Sequence, residues 1–215
     1  RLHELAEELG IELESFAHGA LCICYSGQCF MSSLVGGRSA NRGRCAQACR
    51  LPYELHNRAL HKTLDAPGEH LLSPKDLCTA NLIPELLHAG VASLKIEGRM
   101  KKKEYSAYLS SLYRHYVDVY ESEGKETFQA LVQNKESRLW KDIRRSKDIY
   151  NRGGFCAGYL FETDKKNIMY PKKNGHFGTC VGTVLKASKG QAVFRVKVAC
   201  LLYTSPSPRD RSLSR

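Results

Sequence analysis

Five of the nine cysteines fall inside one short, glycine-punctuated stretch: Cys22, Cys24, Cys29, Cys45 and Cys49. A small secreted protein would use such a cluster for disulfides, because it lacks the apolar mass for a core. This chain has 215 residues, 42% of them hydrophobic and 26% charged, and helix-like and strand-like patterns flank the cluster. In that setting clustered cysteines point to metal or redox chemistry. Six residues separate Cys22 from Cys29, fifteen separate Cys29 from Cys45, and three separate Cys45 from Cys49, with Cys78 further on. Thiolates are soft donors suited to zinc or to an iron–sulfur cluster, provided three or four converge. Gly19, Gly27, Gly36, Gly37 and Gly43 let the backbone turn tightly enough to aim them inward. The spacing matches neither paired CxxC knuckles nor the ferredoxin run. Buried structural cysteines therefore remain the competing reading.

Around the cluster the chain alternates helix and strand. Leu2, Leu5, Ala6 and Leu9 recur at helical spacing, Gly10 is placed to end that helix, and Ile11 to Phe16 reads as a strand. Ser73-Pro74-Lys75-Asp76 reads as a helix start, with Ser73 as N-cap and Pro74 in the first turn. Leu82, Leu86 and Leu87 supply an apolar face, Gly90 ends the helix, and Val91 to Ile96 forms a strand finishing at Glu97-Gly98-Arg99. This repetition predicts an α/β fold with a parallel, (β/α) barrel-like sheet. A strong helix follows over about Lys103 to Tyr120, then a charged helical stretch from Glu126 to Ile149, broken at Asn151-Arg152-Gly153-Gly154. From Gly178 the texture becomes β, with a Ser188-Lys189-Gly190 turn, as at the opening of a small β-barrel domain. The expected division is 1–164 for the α/β domain, with its N-terminal part missing, and 165–199 for the start of the β domain. In a parallel α/β fold, chemistry gathers past the C-terminal ends of strands, where Glu14, His18, Glu97 and Arg99 are expected.

Residues 200–215 are expected not to be native. One back-translation of Cys200–Asp210 (CLLYTSPSPRD) resembles a transposon-end adapter used in sequencing libraries, and the segment has no periodicity. The chain opens at Arg1 without a Met, from which a fragment is expected, and no run of about 18 apolar residues is present. The net charge is +11, with basic runs at Lys101-Lys102-Lys103, Arg144-Arg145, Lys165-Lys166 and Lys172-Lys173. Such an excess suits a phosphate-rich partner such as RNA. The same runs would equally serve as solvated helix ends, so charge alone does not choose.

The segment from Glu14 to Ser32 resembles the pattern E-x-F-x-x-G-A-L-C-x4-G-x-C-x-M-S of peptidase family U32 at every fixed position. Asn41 to Arg50, SPKDLC (Ser73–Cys78), LKIEGRM (Leu94–Met100) and NRGGFCAGYL (Asn151–Leu160) resemble later blocks of that family, in the same order. The resemblance covers about residues 1–198. It implies a choice between the historical label, a collagenase-like protease of unassigned mechanism, and better-understood relatives that are cluster-bearing hydroxylation factors. One branch of the latter hydroxylates wobble uridine of tRNA, with prephenate as a required metabolite, in the cytoplasm. By similarity a [4Fe–4S] cluster is expected on Cys22, Cys29, Cys45 and Cys78, with Cys49 as substitute and zinc as the alternative metal. Cys24, Cys156 and Cys180 lie off the cluster blocks and read as structural.

A protease needs a nucleophile with a base, or a metal-bound water. Cys22 or Cys29 with His18, or Glu97 as base beside Arg99, are the candidate catalytic groups. None of them forms a familiar dyad pattern, and Glu97 with Arg99 reads equally as an ion pair. Aromatics near basic residues (Tyr105, Tyr108, Tyr113 beside Arg114) add a little to the RNA reading, although on a helix such residues are more often core. Four converging thiolates are natural in redox chemistry and odd in a hydrolase. The tRNA-hydroxylation reading is therefore preferred, with a peptidase, or a cluster-bearing accessory protein, as alternatives.

Overall fold

The computed structural model describes residues 2–25, 27–99, 101–160, 168–178 and 182–196. In chain order, helix α1 (Leu2–Leu9) leads into β1 (Leu13–Ala20); α2 (Met31–Gly36) and two 3-10 turns at Ala40–Arg42 and Ala48–Arg50 follow. Then come β2 (Leu55–Asn57), β3 (Lys62–Leu64), β4 (Asp76–Cys78), α3 (Ile83–His88), β5 (Val91–Ile96), α4 (Lys103–Gln133), α5 (Arg138–Ile149), β6 (Phe155–Cys156), β7 (Gly182–Ser188) and β8 (Gln191–Val196). The chain divides into two units, Arg1–Gly178 and Thr179–Arg215.

The first unit is built on a four-stranded sheet ordered β5-β1-β4-β6. It is a mixed sheet, not the parallel one the sequence pattern suggests. The β1–β5 and β4–β6 pairs are parallel, but β4 runs antiparallel to β1, with His18 opposite Cys78 and Ala20 opposite Asp76. The reversal has a local cause. Ser73 and Pro74 do not begin a helix: the Ser73 hydroxyl accepts from the Arg50 guanidinium at 2.8 Å, and the Pro74 carbonyl accepts from the same side chain. With its cap atom engaged, the segment extends as β4, and the helix starts later at Ile83, with Pro84 in its first turn. Gly19 permits the close approach of β1 to β5. It sits at φ +118°, where a side chain would collide with the Glu97 carbonyl.

Helix α4 covers one face of the sheet. Tyr105, Leu109, Leu112 and Tyr116 recur at three- and four-residue spacing, and all are buried, with Tyr113 and Val117 beside them. The core joins these to Ala17, Ala80, Ile83, Phe128 and Leu139. Gly124 (φ 78°, ψ 174°) interrupts α4, so Phe128 folds back edge-on to Tyr116, the ring centroids 5.8 Å apart. The helical stretch expected from Glu126 to Ile149 is broken once more, where Ser137 caps α5 by accepting from the Trp140 amide at 3.1 Å. Residues 168–178 pack back onto this unit: Ile168 is buried, and the Tyr170 amide donates to the Ser73 carbonyl at 2.8 Å. In the second unit the described residues form the antiparallel hairpin β7–β8 around the expected turn. Cys180 and the segment 200–215 lie outside the described residues.

Candidate metal centre and the sheet end beside it

Strands β1 and β5 run toward the same sheet end, and the cysteine-rich segment begins where β1 stops. Cys22 follows two residues after β1 and is exposed; Cys29 and Cys49 are half-buried, and Cys45 is exposed. Short turns shape the segment. Gly37 and Gly43 end α2 and the first 3-10 turn in left-handed conformations, and Gln47 enters the second turn at φ 55°. The Ser32 hydroxyl ties the two halves, accepting from the Ala46 amide at 3.0 Å and donating to Cys45 Sγ at 3.8 Å. The Gln47 amide donates to Cys45 Sγ as well, at 3.3 Å.

Cys49 reports on where the other thiols stand. Burial raises its pKa most, Arg50 opposes that, and the charges of Cys22, Cys45 and Cys29 each raise it further. These four thiols therefore share one electrostatic neighbourhood. Cys78 occupies a different one, at the inner end of β4. Burial raises its pKa, and its neighbours are the Ala80 amide, the Tyr113 hydroxyl at 3.9 Å, Lys147 and Cys156. Cys156 is buried and Cys24 half-buried. Among the described residues no three donors stand close enough to hold a metal ion as placed. The donor set nonetheless fits a soft metal centre: four sulfurs on one turn-rich segment, with hydrogen-bond donors already directed at Cys45.

Arg50 anchors the segment. It is only 4% exposed, and its guanidinium donates to the Leu21 carbonyl at 2.8 Å as well as to Ser73 and Pro74. One side chain thus ties the position after Cys49 to the residue before Cys22 and to the loop into β4. Residue spacing gave no sign of this role, because a lone arginine beside a cysteine carries no pattern. Arg152 escaped for the same reason.

The residues expected to be catalytic are placed as follows. His18 is 1% exposed, enclosed edge-on by Phe155, Tyr113 and Tyr105 at centroid distances of 4.9, 5.8 and 6.2 Å. Burial lowers its pKa to about 4. Its Nδ1 lies 3.3 Å from the Tyr113 hydroxyl, and among the described residues no hydrogen bond joins it to a cysteine. Glu97 lies just past β5, where its backbone receives the Tyr105 hydroxyl and donates to His18. Glu97 and Arg99 form no ion pair among the described residues, and Arg99 is exposed near Gly43. Glu14 is not at the strand's C-terminal end. It lies near the start of β1, exposed and paired with Lys95 at 2.7 Å. Tyr105 and Tyr113 are core, and the half-buried Tyr108 donates to the Asp142 carbonyl, so these rings are not a stacking platform.

Exposed cations lie in the cysteine-rich segment and in the loop that follows β5. Arg38, Arg42, Arg44, Arg99, Lys102 and Lys103 are exposed, and none forms an ion pair among the described residues. No helix among the described residues is long and apolar enough to cross a membrane.

The family model described as "Peptidase family U32" matches residues 1–170. A tRNA hydroxylation protein P1 of Bacillus subtilis is 45% identical over 125 residues, 55% of this chain and 29% of that protein. A 23S rRNA 5-hydroxycytidine synthase of Escherichia coli is 36% identical over 177 residues, 82% of this chain and 26% of that protein. A collagenase of Porphyromonas gingivalis is 40% identical over 110 residues, 51% of this chain and 27% of that protein. The chain thus spans under a third of the length of each of these relatives. No solved structure matches it. On the match over residues 1–170, the chain belongs to peptidase family U32.

Proposed function

We propose that this chain is the cluster-holding part of a cytoplasmic RNA-hydroxylating enzyme whose substrate is tRNA, modified at C5 of the wobble uridine. The observation that carries the reading is that Cys22, Cys29, Cys45 and Cys49 lie on one turn-rich segment past β1 and share one electrostatic neighbourhood, with the exposed Arg38, Arg42 and Arg44 on the same segment. An iron–sulfur cluster on these thiols would supply one-electron chemistry to a substrate held at the protein surface. Arg38, Arg42, Arg44, Arg99, Lys102 and Lys103 would hold the phosphate backbone beside it, and Arg50 would keep the thiol-bearing segment in place. Three ligands, Cys22, Cys29 and Cys45, are common to both readings of the site. For the fourth, family resemblance favours Cys78 and proximity favours Cys49. Prephenate is the co-substrate the resemblance implies, and the mixed sheet is read as part of a (β/α) barrel-like fold.

Two of the relatives named above carry RNA hydroxylation in their names, which supports this reading. The relative named collagenase supports a second one, a peptidase. Against it, His18 is sealed among aromatic rings and has no cysteine partner among the described residues. Mass spectrometry of tRNA nucleosides separates the two. A deletion strain of the full-length parent should lose wobble 5-hydroxyuridine derivatives, and the parent gene should restore them while its Cys22→Ala variant should not. Unchanged hydroxylation alongside lost collagen-peptide cleavage would establish the peptidase instead.

A further inference from the structure

Two exposed aromatic rings stand by the first thiol of the cysteine-rich segment. Tyr25 and Tyr159 are 82% and 53% exposed, and they come from segments far apart in the chain. Tyr25 follows Cys22 by three residues, so chain length alone keeps their Cα atoms within about 11 Å. Tyr159 lies beyond β6 on a turn closed by the Leu160 amide, which donates to the Ala157 carbonyl at 3.5 Å. Gly158 lets that turn settle against its neighbours. Its φ is +65°, and a side chain there would meet Leu77 Cδ1 at 3.0 Å and Leu21 Cδ1 at 3.5 Å. The Tyr159 hydroxyl then donates to the Cys22 carbonyl at 3.4 Å. Burial raises the Tyr159 pKa, and Cys22, Cys156, Tyr25 and Cys24 each raise it further. Both tyrosines thus share one neighbourhood with the start of the thiol segment.

Tyrosines placed for packing look different in this chain. Tyr113 and Tyr116 give their rings to the core under α4 and their hydroxyls to the Ala17 and Leu139 carbonyls. Tyr159 has its hydroxyl fixed but about half its surface in solvent, so the ring is held still without being covered. A ring prepared in that way loses little freedom when a flat partner stacks on it. Charge decides which flat partner fits. From Ser15 to Tyr53 the chain carries four arginines and no Asp or Glu. Arg42 and Arg44 border Gly43, and Arg99 Nη1, from the loop after β5, lies 3.9 Å from where a Gly43 side chain would begin. Three exposed guanidinium groups, none in an ion pair among the described residues, therefore belong to the turn that leads into Cys45. Exposed rings suit nucleobases, and unpaired cations suit the phosphates between them. A neutral, proline-rich peptide could lie on the rings but would leave the arginines unanswered.

We propose that Tyr25 and Tyr159 form a stacking platform for the base to be modified, unpaired in its RNA loop, with the adjoining phosphates on Arg42, Arg44 and Arg99. On the RNA-hydroxylation reading above, on which this proposal rests, the platform selects a loop over a helix. A duplex keeps its bases in the stack and offers only its backbone, whereas a loop base splays out at little cost. The anchor on the Cys22 carbonyl ties the platform to a residue proposed to hold the cluster, so a base stacked there is kept beside the metal centre.

The test uses the full-length parent protein, purified without oxygen, and follows binding by fluorescence anisotropy. Its ligands are an anticodon stem-loop with uridine at the wobble position, the same RNA with an abasic site there, and a blunt duplex of equal length. The uridine loop should bind about tenfold more tightly than either of the others, the size of one base stacked on an aromatic ring. Tyr159→Ala and Tyr25→Ala should each remove most of that advantage while leaving the abasic loop and the salt dependence unchanged. Tyr159→Phe, which keeps the ring, should retain most of it. Arg44→Gln should instead weaken all three RNAs and lower the salt slope by about one. Circular dichroism and metal content check that each variant is otherwise intact. Equal affinity for the uridine and abasic loops, or tyrosine variants that weaken all three RNAs alike, would overturn the platform and leave the RNA reading standing. Failure of every RNA to bind would overturn both. A collagen peptide whose binding falls in Tyr159→Ala while RNA binding is unmoved would assign the rings to a peptide instead.

Discussion

The face of the sheet under α4 and the cysteine segment at its end are built on opposite terms. Under α4, Tyr113, Tyr116, Leu109, Phe128 and Ile83 fill the interior, and polar atoms such as the Tyr113 hydroxyl are fixed by several partners. The segment from Leu21 to Arg50 has little interior of its own: Cys22, Cys45, Leu34 and Val35 are exposed, and among its described residues the regular structure is two 3-10 turns and a six-residue helix. What holds it is mainly one buried arginine. The first region is stable because of what it buries. The second is positioned so that its sulfurs and cations stay accessible. A functional segment is expected to be drawn from the less stable end of a fold.

The contrast can be broken or sharpened by substitution. Phe128→Ala removes a fully buried ring from the α4 side and should cost about 3–5 kcal/mol, read as a fall in the midpoint of chemical unfolding. Arg50→Ala leaves the Leu21, Ser73 and Pro74 oxygens without their donor, a loss of about 2–4 kcal/mol. Its hallmark is local. Hydrogen exchange should quicken across 21–50 while α4 keeps its protection; uniform quickening would mean that the segment is not a separate unit.

Acid provides a third probe, confined to the buried side. Burial holds His18 neutral to about pH 4 in the folded protein, while the unfolded chain takes up the proton near 6.5. The unfolded state therefore binds more protons between those values, and stability should fall by up to about 3 kcal/mol as pH drops from 6.5 to 4. Asp76, raised by burial, contributes a slope of the opposite sign, so the difference between the wild type and His18→Gln isolates the histidine. A difference that does not change with pH would show that His18 is not held neutral. The smallest effect is expected at the start of α5, where Ser137→Ala should cost about 1 kcal/mol through the lost cap.

Periodicity in the sequence made α1, β5, the first part of α4 and the β7–β8 hairpin legible, because each follows a period of 3.6 or 2. It failed at Ser73-Pro74, where a helix-start signature was overridden by a side chain distant in sequence: Arg50 engages the Ser73 hydroxyl. No local pattern encodes that contact. The thiols were legible from their clustering, yet their grouping was not, since spacing cannot show that Cys49 feels the charges of Cys22, Cys29 and Cys45 while Cys78 lies by the Tyr113 hydroxyl. The buried cations were invisible for the same reason. Arg50 and Arg152 come from two separate segments, and both act on Asp76 of β4.

The central claim is that the thiols of the cysteine-rich segment hold an iron–sulfur cluster. Its most direct test is iron, sulfide and zinc analysis, with visible absorption, of the full-length parent purified without oxygen, alongside its single cysteine variants. The expected result is brown protein with matched iron and sulfide, bleached by Cys22→Ala, Cys29→Ala or Cys45→Ala and by one of Cys49→Ala and Cys78→Ala, but not by Cys156→Ala. Colourless protein carrying stoichiometric zinc, or colour that survives the loss of Cys22, would contradict it.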